Sequence, residues 1–210
     1  MTAFIFTGGG ICPEYITERP GADDICIAAD AGYKNALLLG MRVDLLVGDL
    51  DTLKQEELGG NIDCECVRVP AEKDFSDTHL AVSEAIKRGA NRIVIIGGLD
   101  GRLDHTLSNL AILEDLCKKN VRALMTDGKN RVRLIRSSSE LIARSAFVYL
   151  SIIAADKKVR GVSIEGCKYP LKNATLCSDY QYAISNEIEK NCALISVRKG
   201  GIYIIESRDA

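Results

Sequence analysis

Two carboxylates, Asp49 and Asp51, stand two residues apart in GDLDT (48–52), directly behind the apolar run DLLV. In extended chain an i, i+2 pair points to one side. Ionised carboxylates tolerate an apolar setting only when a partner neutralises them. Like charges held close raise one another's pKa unless a cation intervenes. Asp30 and Asp77 follow other apolar runs, and with them the set becomes an oxygen-only nest. Hard carboxylate ligands without thiolate or imidazole select Mg2+ or Mn2+, commonly shared with substrate phosphates. The alternative reading makes Asp49 and Asp51 loop caps or surface acids.

Other polar residues gather in the same way. Thr7-Gly8-Gly9-Gly10 follows AFIF, Lys73-Asp74-Phe75-Ser76-Asp77 follows CECVRV, and GGLDGRLDH (97–105) follows RIVII. Glycine backbone approaches a phosphate closely, and Arg102 has the planar fork that grips one bidentately. Against this stands a plain glycine turn with Asp104 capping the next helix. Lys73 fits a phosphate contact or a solvated surface position equally. Ser76 or Asp77 is a natural N-cap for the segment that follows. Gly8–Gly10 is not followed by GK[ST], so it is no Walker P-loop. His79 and His105 are the only histidines, and no Ser-His-Asp spacing or HExxH occurs. A divalent metal, phosphate grips and no covalent nucleophile suit phosphoryl or pyrophosphoryl transfer.

The elements that must position these residues can be read from periodicity. AFIFT, DICIAA, DLLV, CECVRV, RIVIIG and VRALMT are β-rich runs of strand length. Between them YKNALLLG, DTHLAVSEAIKRG and DHTLSNLAILEDLCKKN have helical spacing, with Leu103, Leu107, Leu110 and Leu113 forming one stripe. This βαβα rhythm predicts an α/β domain over 1–127, a mostly parallel sheet flanked by helices. From 128 to 210 the closely spaced runs VRLI, AFVYLSII, VRGVSI, ATLC, CALISVRK and GIYIIE predict an all-β antiparallel sandwich or barrel. Ligands of open α/β sheets bind at the carboxyl ends of the strands, where all these acids and glycines fall.

Bulk properties narrow the classes. The 210 residues suffice for a proper core, and 47% apolar content reads as globular. A net charge of −2 gives no footprint for duplex nucleic acid. No run approaches the roughly 20 apolar residues of a membrane span, and MTAFIFTGGG lacks a signal peptide's basic start. The eight cysteines are scattered and read as reduced thiols of a cytoplasmic protein, and the Cys64–Cys66 pair lacks the partners of a zinc site.

The blocks ADAG (29–32), VGDLDTL (47–53), KDFSDTHLAV (73–82), GGLDGRLDHTLSNL (97–110), GCKYPL (166–171) and ISNE (184–187) resemble, in order, the thiamine pyrophosphokinase family. That resemblance implies a catalytic α/β domain that binds nucleotide and metal, then a β-sandwich that binds thiamine and dimerises. It implies transfer of pyrophosphate from ATP to the hydroxyethyl group of thiamine, giving thiamine diphosphate and AMP. Active sites would lie at the interface of a homodimer. By the same resemblance Asp49, Asp51, Asp77 and Asp30 ligate Mg2+. Lys73, Asp74, Ser76, Arg102, Asp104 and Asn109 match positions lining the nucleotide and thiamine site, beside His105. Ser185 and Asn186 match the second-domain stretch that reaches thiamine. The general base is left among Asp74, Asp77 and Asp104.

The chain departs from the family pattern at Leu50, Thr52 and Ser76 and in having no tryptophan. Leu50 replaces an aromatic residue, Thr52 and Ser76 exchange hydroxyl types, and the tryptophan on which some members stack thiamine is absent, leaving Tyr180 or Tyr182 as substitutes. The rival functions are a metal-dependent phosphotransferase or pyrophosphohydrolase on another substrate, and a non-catalytic nucleotide- or thiamine-binding module. AMP release without thiamine would favour the former, and Mg-ATP binding without turnover the latter.

Overall fold

The computed structural model describes residues 1–48, 64–68 and 75–209. Asp49, Asp51, Lys73 and Asp74 lie outside the described residues. The chain divides into two compact units, Met1–Gly128 and Lys129–Ala210.

In the first unit, β1 (Thr2–Phe6), β2 (Ile25–Ala29), β3 (Leu45–Gly48), β4 (Glu65–Arg68), β5 (Arg92–Ile96) and β6 (Arg122–Thr126) pair in the order β4-β3-β2-β1-β5-β6. Each pairing is parallel. The order reverses at β1, which has β2 on one side and β5 on the other. Such a switch point leaves a crevice beyond the carboxyl ends of the two strands.

Near-continuous apolar sequence is what a sheet buried on both faces requires. Phe4, Phe6, Cys26, Val94 and Ile96 face α1 (Gly32–Leu38) through Ala36, in a cluster completed by Ile16 and Met41. The alternate residues Ile5, Ile27, Leu45, Ile93 and Ile95 are fully buried on the opposite face. There α2 (Asp77–Lys87) packs on β1, β2 and β3 through its buried face of Thr78, Ala81, Val82 and Ala85. Each large side chain so buried contributes roughly 1.5–3 kcal/mol.

The third helix, α3 (Leu103–Lys118), lies against β6. Its buried face is Asn109, Ile112, Leu113 and Leu116. Of the leucine stripe only Leu113 is buried, whereas Leu103 and Leu107 are 70% and 57% exposed. The stripe is real in sequence but mostly turned outward.

The second unit is a sandwich of antiparallel sheets. β7 (Asn130–Arg136), β13 (Gly201–Ser207) and β9 (Tyr149–Ala154) form one, in the order β7-β13-β9. β11 (Leu171–Cys177), β10 (Lys158–Glu165), β12 (Cys192–Ser196) and β8 (Ser139–Ala143) form the other. Their facing residues, among them Ile135, Ile152, Ile202 and Ile204 against Ile142, Val162, Ile164 and Ile195, make one core. β8 is an element that the sequence reading omits, because SELIA is short and half polar. All eight cysteines are free. Among the described residues no helix is long and apolar enough to cross a membrane.

Candidate active site

At the switch point lies a cavity of about 410 Å³, lined by the loops leaving β1, β2 and β5 and by the start of α2. That volume suits a small-molecule site. Its lining includes Asp30, Ser76, Asp77, Arg102, His105 and Asn109, so six of the residues read from sequence meet around one space.

Asp30 ends β2 with φ of 44°, in the left-handed region that a non-glycine residue rarely occupies and that clusters at functional sites. Its amide donates to the Val47 carbonyl at 2.9 Å, which fastens it to the end of β3. A Cβ on Gly48 would stand 3.1 Å from the Asp30 Cβ. The glycine of GDLDT therefore leaves room for Asp30 at the neighbouring strand end.

Ser76 caps α2. Its Oγ accepts from the His79 amide at 3.3 Å and lies 3.0 Å from His79 Nδ1. Burial pushes the His79 imidazole below its ordinary pKa, and Phe75 packs near its ring. His79 thus belongs to the cap, which holds Ser76 and Asp77 at the cavity edge. The positive end of α2 favours an anionic group there. Thr78, next in the helix, also lines the cavity and escaped sequence reasoning, since a buried threonine in a helix carries no signature.

The β5 loop is built from backbone. Gly97 takes φ of 96°, and the Asn109 amide nitrogen donates to the Gly98 carbonyl at 3.0 Å. Gly9, from the β1 loop, approaches so closely that a Cβ there would overlap the Gly97 carbonyl oxygen. Arg102 grips Asp104 in a fork, Nε to Oδ1 at 3.1 Å and Nη2 to Oδ2 at 2.6 Å. Asp104 Oδ1 also accepts from the His105 amide at 3.0 Å. The guanidinium hydrogen bond holds the Asp104 carboxyl below its ordinary pKa, and the carboxylate in turn raises that of Arg102. Both side chains are exposed, so the pair sets orientation more than stability.

Asp30 and Asp77 give the cavity hard oxygen donors and no thiolate, which is Mg2+ chemistry and not zinc chemistry. Among the described residues no three His, Cys, Asp or Glu side chains form a metal-binding group. Asp49 and Asp51, the other two acids expected to hold a metal, lie outside the described residues.

In the second unit Ser185 is exposed, with φ of 54°, and its amide donates to Ser151 Oγ at 3.0 Å. Asn186 is buried and its amide is used internally. Oδ1 accepts from the Tyr169 and Glu187 amides, both at 2.9 Å, and Nδ2 donates to the Tyr169 carbonyl at 2.7 Å. Asn186 thus clamps the backbone of Tyr169, whose side chain is exposed. Tyr180 and Tyr182 are exposed too, with ring centroids 5.8 Å apart, and the Tyr182 hydroxyl donates to the Thr175 carbonyl.

The thiamin pyrophosphokinase catalytic domain family matches residues 21–125, and the vitamin B1 binding domain of the same enzymes matches residues 138–202. The thiamine pyrophosphokinase of Bacillus subtilis is 28% identical over 213 residues, covering 99% of each chain. That of Caenorhabditis elegans is 25% identical, covering 77% of this chain and 69% of its own. The crystal structure of the Bacillus subtilis enzyme superposes with a TM-score of 0.89 at 25% identity, over all of both chains. That of the Geobacillus thermodenitrificans enzyme gives 0.87 at 26%, over 100% of this chain and 99% of that one. The catalytic domain falls within the unit Met1–Gly128 and the vitamin B1 binding domain within Lys129–Ala210, in that order, and this chain belongs to the thiamin pyrophosphokinase family.

Proposed function

We propose that this chain transfers the pyrophosphoryl group of ATP to thiamine. The hydroxyl oxygen of thiamine attacks the β-phosphorus, the bridging bond between the α- and β-phosphates breaks, and AMP leaves. The hydroxyl proton passes to a carboxylate. The observation that carries this reading is the cavity at the β1/β5 switch point. It combines Asp30 and Asp77 with Arg102 and glycine backbone, within a chain that matches both family domains in order.

In this reading the residues divide the work. Asp30, Asp49, Asp51 and Asp77 would hold Mg2+, which when bound would neutralise charge on the phosphate oxygens. Arg102 uses Nε and Nη2 on Asp104, so its remaining N–H groups face outward for a phosphate oxygen. Lys73 offsets further charge. Ser76 and Asp77 present hydroxyl and carboxylate from the positive end of α2. Asn109 fixes the β5 loop that forms the cavity wall. The unit Met1–Gly128 is the catalytic one, and Lys129–Ala210 binds thiamine through the stretch that includes Ser185, with Asn186 holding Tyr169 in place.

The reading extends to a cytoplasmic homodimer with active sites at the subunit interface. Eight free thiols suit a reducing compartment. The exposed Leu103 and Leu107 on α3 offer apolar surface for a second copy. Sedimentation velocity of the purified chain tests the dimer, and a monomer at micromolar concentration overturns it. AMP release from Mg-ATP with and without thiamine tests the reaction. Thiamine-dependent AMP supports it, and equal release without thiamine refutes it in favour of hydrolysis.

A further inference from the structure

Asn35 lies in α1, in a stretch whose sequence signals nothing beyond a helix. Its Nδ2 nevertheless donates two hydrogen bonds, to the Thr7 carbonyl at 2.6 Å and to the Gly9 carbonyl at 2.8 Å. Both carbonyls belong to the loop that leaves β1 and borders the cavity. The same nitrogen stands 3.0 Å from where a Gly97 Cβ would be, so it is enclosed by the β1 and β5 loops together.

These two bonds dictate where the loop amides point. The Gly8 N–H shares a peptide plane with the Thr7 carbonyl, and the Gly10 N–H shares one with the Gly9 carbonyl. Among the described residues no peptide is cis. In a trans peptide the N–H points opposite to the C=O. Both amides are thus turned away from α1. Gly8, Gly9 and Gly10 donate to no acceptor among the described residues. Gly8 and Gly10 are exposed, so these donors are open to solvent or to a ligand in the cavity. Without side chains, such amides let an anion approach the backbone closely. The Asp100 carboxylate lies against Gly10, which disfavours an anion at that end and leaves Gly8, on the cavity wall, as the better donor.

We propose that Asn35 is a positioning residue for the nucleotide: by holding the Thr7 and Gly9 carbonyls it aims the Gly8 amide at the phosphate chain. The inference rests on the ATP-dependent reading above. Asn35 touches no reacting atom, and its effect is exerted through the loop.

The test uses the full chain, with Asn35→Ala and Asn35→Asp. Alanine deletes both donors, and aspartate sets a carboxylate against two carbonyls. The KM for Mg-ATP rises about tenfold or more, as expected when a prearranged hydrogen bond to a charged group is lost. The KM for thiamine stays within about twofold, a split that general loosening of the fold would not produce. In wild-type protein the Gly8 amide resonance shifts on addition of Mg-ATP, and in Asn35→Ala that shift shrinks. An unchanged Mg-ATP KM in Asn35→Ala overturns the proposal, as does an equal rise in both KM values. Should the variants fail to fold, the wild-type titration decides alone, since an unmoved Gly8 resonance with Mg-ATP bound refutes the amide contact. A wild-type chain that binds Mg-ATP with the Gly8 shift but never forms AMP with thiamine would sink the reaction and leave this inference standing.

Discussion

Gly9→Ala tests whether the cavity depends on two loops meeting backbone to backbone. Gly9 is not in the left-handed region, so alanine there costs nothing in φ and acts by bulk alone. Its Cβ would overlap the Gly97 carbonyl oxygen, with the Gly97 carbonyl carbon at 3.1 Å and the Asp100 carbonyl oxygen at 3.2 Å. All three are backbone atoms, so no side chain can rotate away. The loops must part by roughly 1 Å to restore ordinary non-bonded separations. Overpacking of this kind costs about 1–3 kcal/mol, well inside the ~5–15 kcal/mol that holds a domain folded. The catalytic effect is larger in proportion, because a misplacement of ~1 Å costs about 10²-fold, or ~2.7 kcal/mol of barrier. The assay is thiamine-dependent AMP release at saturating thiamine and varied Mg-ATP, paired with a thermal melt. Gly10→Ala is the internal comparison. The three nearest neighbours of its Cβ are all Asp100 side-chain atoms, which can turn aside, so its loss stays within about tenfold. A folded Gly9→Ala enzyme with kcat/KM within about threefold of wild type would refute the loop-contact reasoning.

Asp51→Asn should lower kcat by on the order of 10² or more, the usual consequence of losing a transition-state electrostatic contact; a folded variant with near-normal AMP production would refute its assignment to the metal. Ser76→Ala removes the α2 cap that accepts from the His79 amide, and chemical denaturation should show a loss of about 1 kcal/mol. An unchanged midpoint would mean that the cap contributes nothing. The Arg102 hydrogen bond depresses the Asp104 pKa, so the pair's contribution is complete above the unfolded-state value and lost as pH falls through the lower folded value. An NMR titration of the Asp104 carboxyl should therefore have its midpoint below the ordinary 3.8, and a midpoint above it would show that the pair does not persist in solution.

β1, β2, β3, β5 and β6 were legible because each is an apolar run with glycine or aspartate at or just beyond its end. RIVIIG, for example, becomes β5 within a residue at each end. The helix over DTHLAVSEAIK was legible because Ser76 and Asp77 announce its start and Lys87 its end. What periodicity could not reveal was which face of α3 the sheet would take. Leu103 and Leu107 satisfy the helical repeat as well as Ile112 and Leu116 do, but only the latter meet the core. The cavity's polar ring could be anticipated because chemistry-bearing side chains collect at strand ends, and the structure brings Asp30, Asp77, Arg102 and Asn109 around one space. Asn35 was hidden for the opposite reason. Its partners are backbone carbonyls 26 and 28 residues away, and such contacts leave no trace in local sequence. Asn186 shows a third case, where a motif position carries a side chain committed to Tyr169 backbone groups.

The same geometry narrows the choice of proton acceptor. A general base works best with a pKa near the operating pH. Asp104 is pulled the other way, because the fork from Arg102 stabilises its ionised form. Protonating it would also break the bond that orients Arg102, loosening a phosphate grip at the moment charge develops. A single carboxylate cannot orient the arginine and take the proton without undoing the first task by the second. On the proposed reading Asp104 would serve as the anchor of Arg102, which would leave Asp74 or Asp77 to take the thiamine proton. Asp77 has the placement for that role, in the first turn of α2 and on the cavity wall, next to the hydroxyl of Ser76. In the proposed reading Asp77 would also hold Mg2+, and the metal's charge would then lower its basicity and favour Asp74 for the task. The acceptor is then decided by how the four acids share the cation, a matter of charge distribution and not of distance alone.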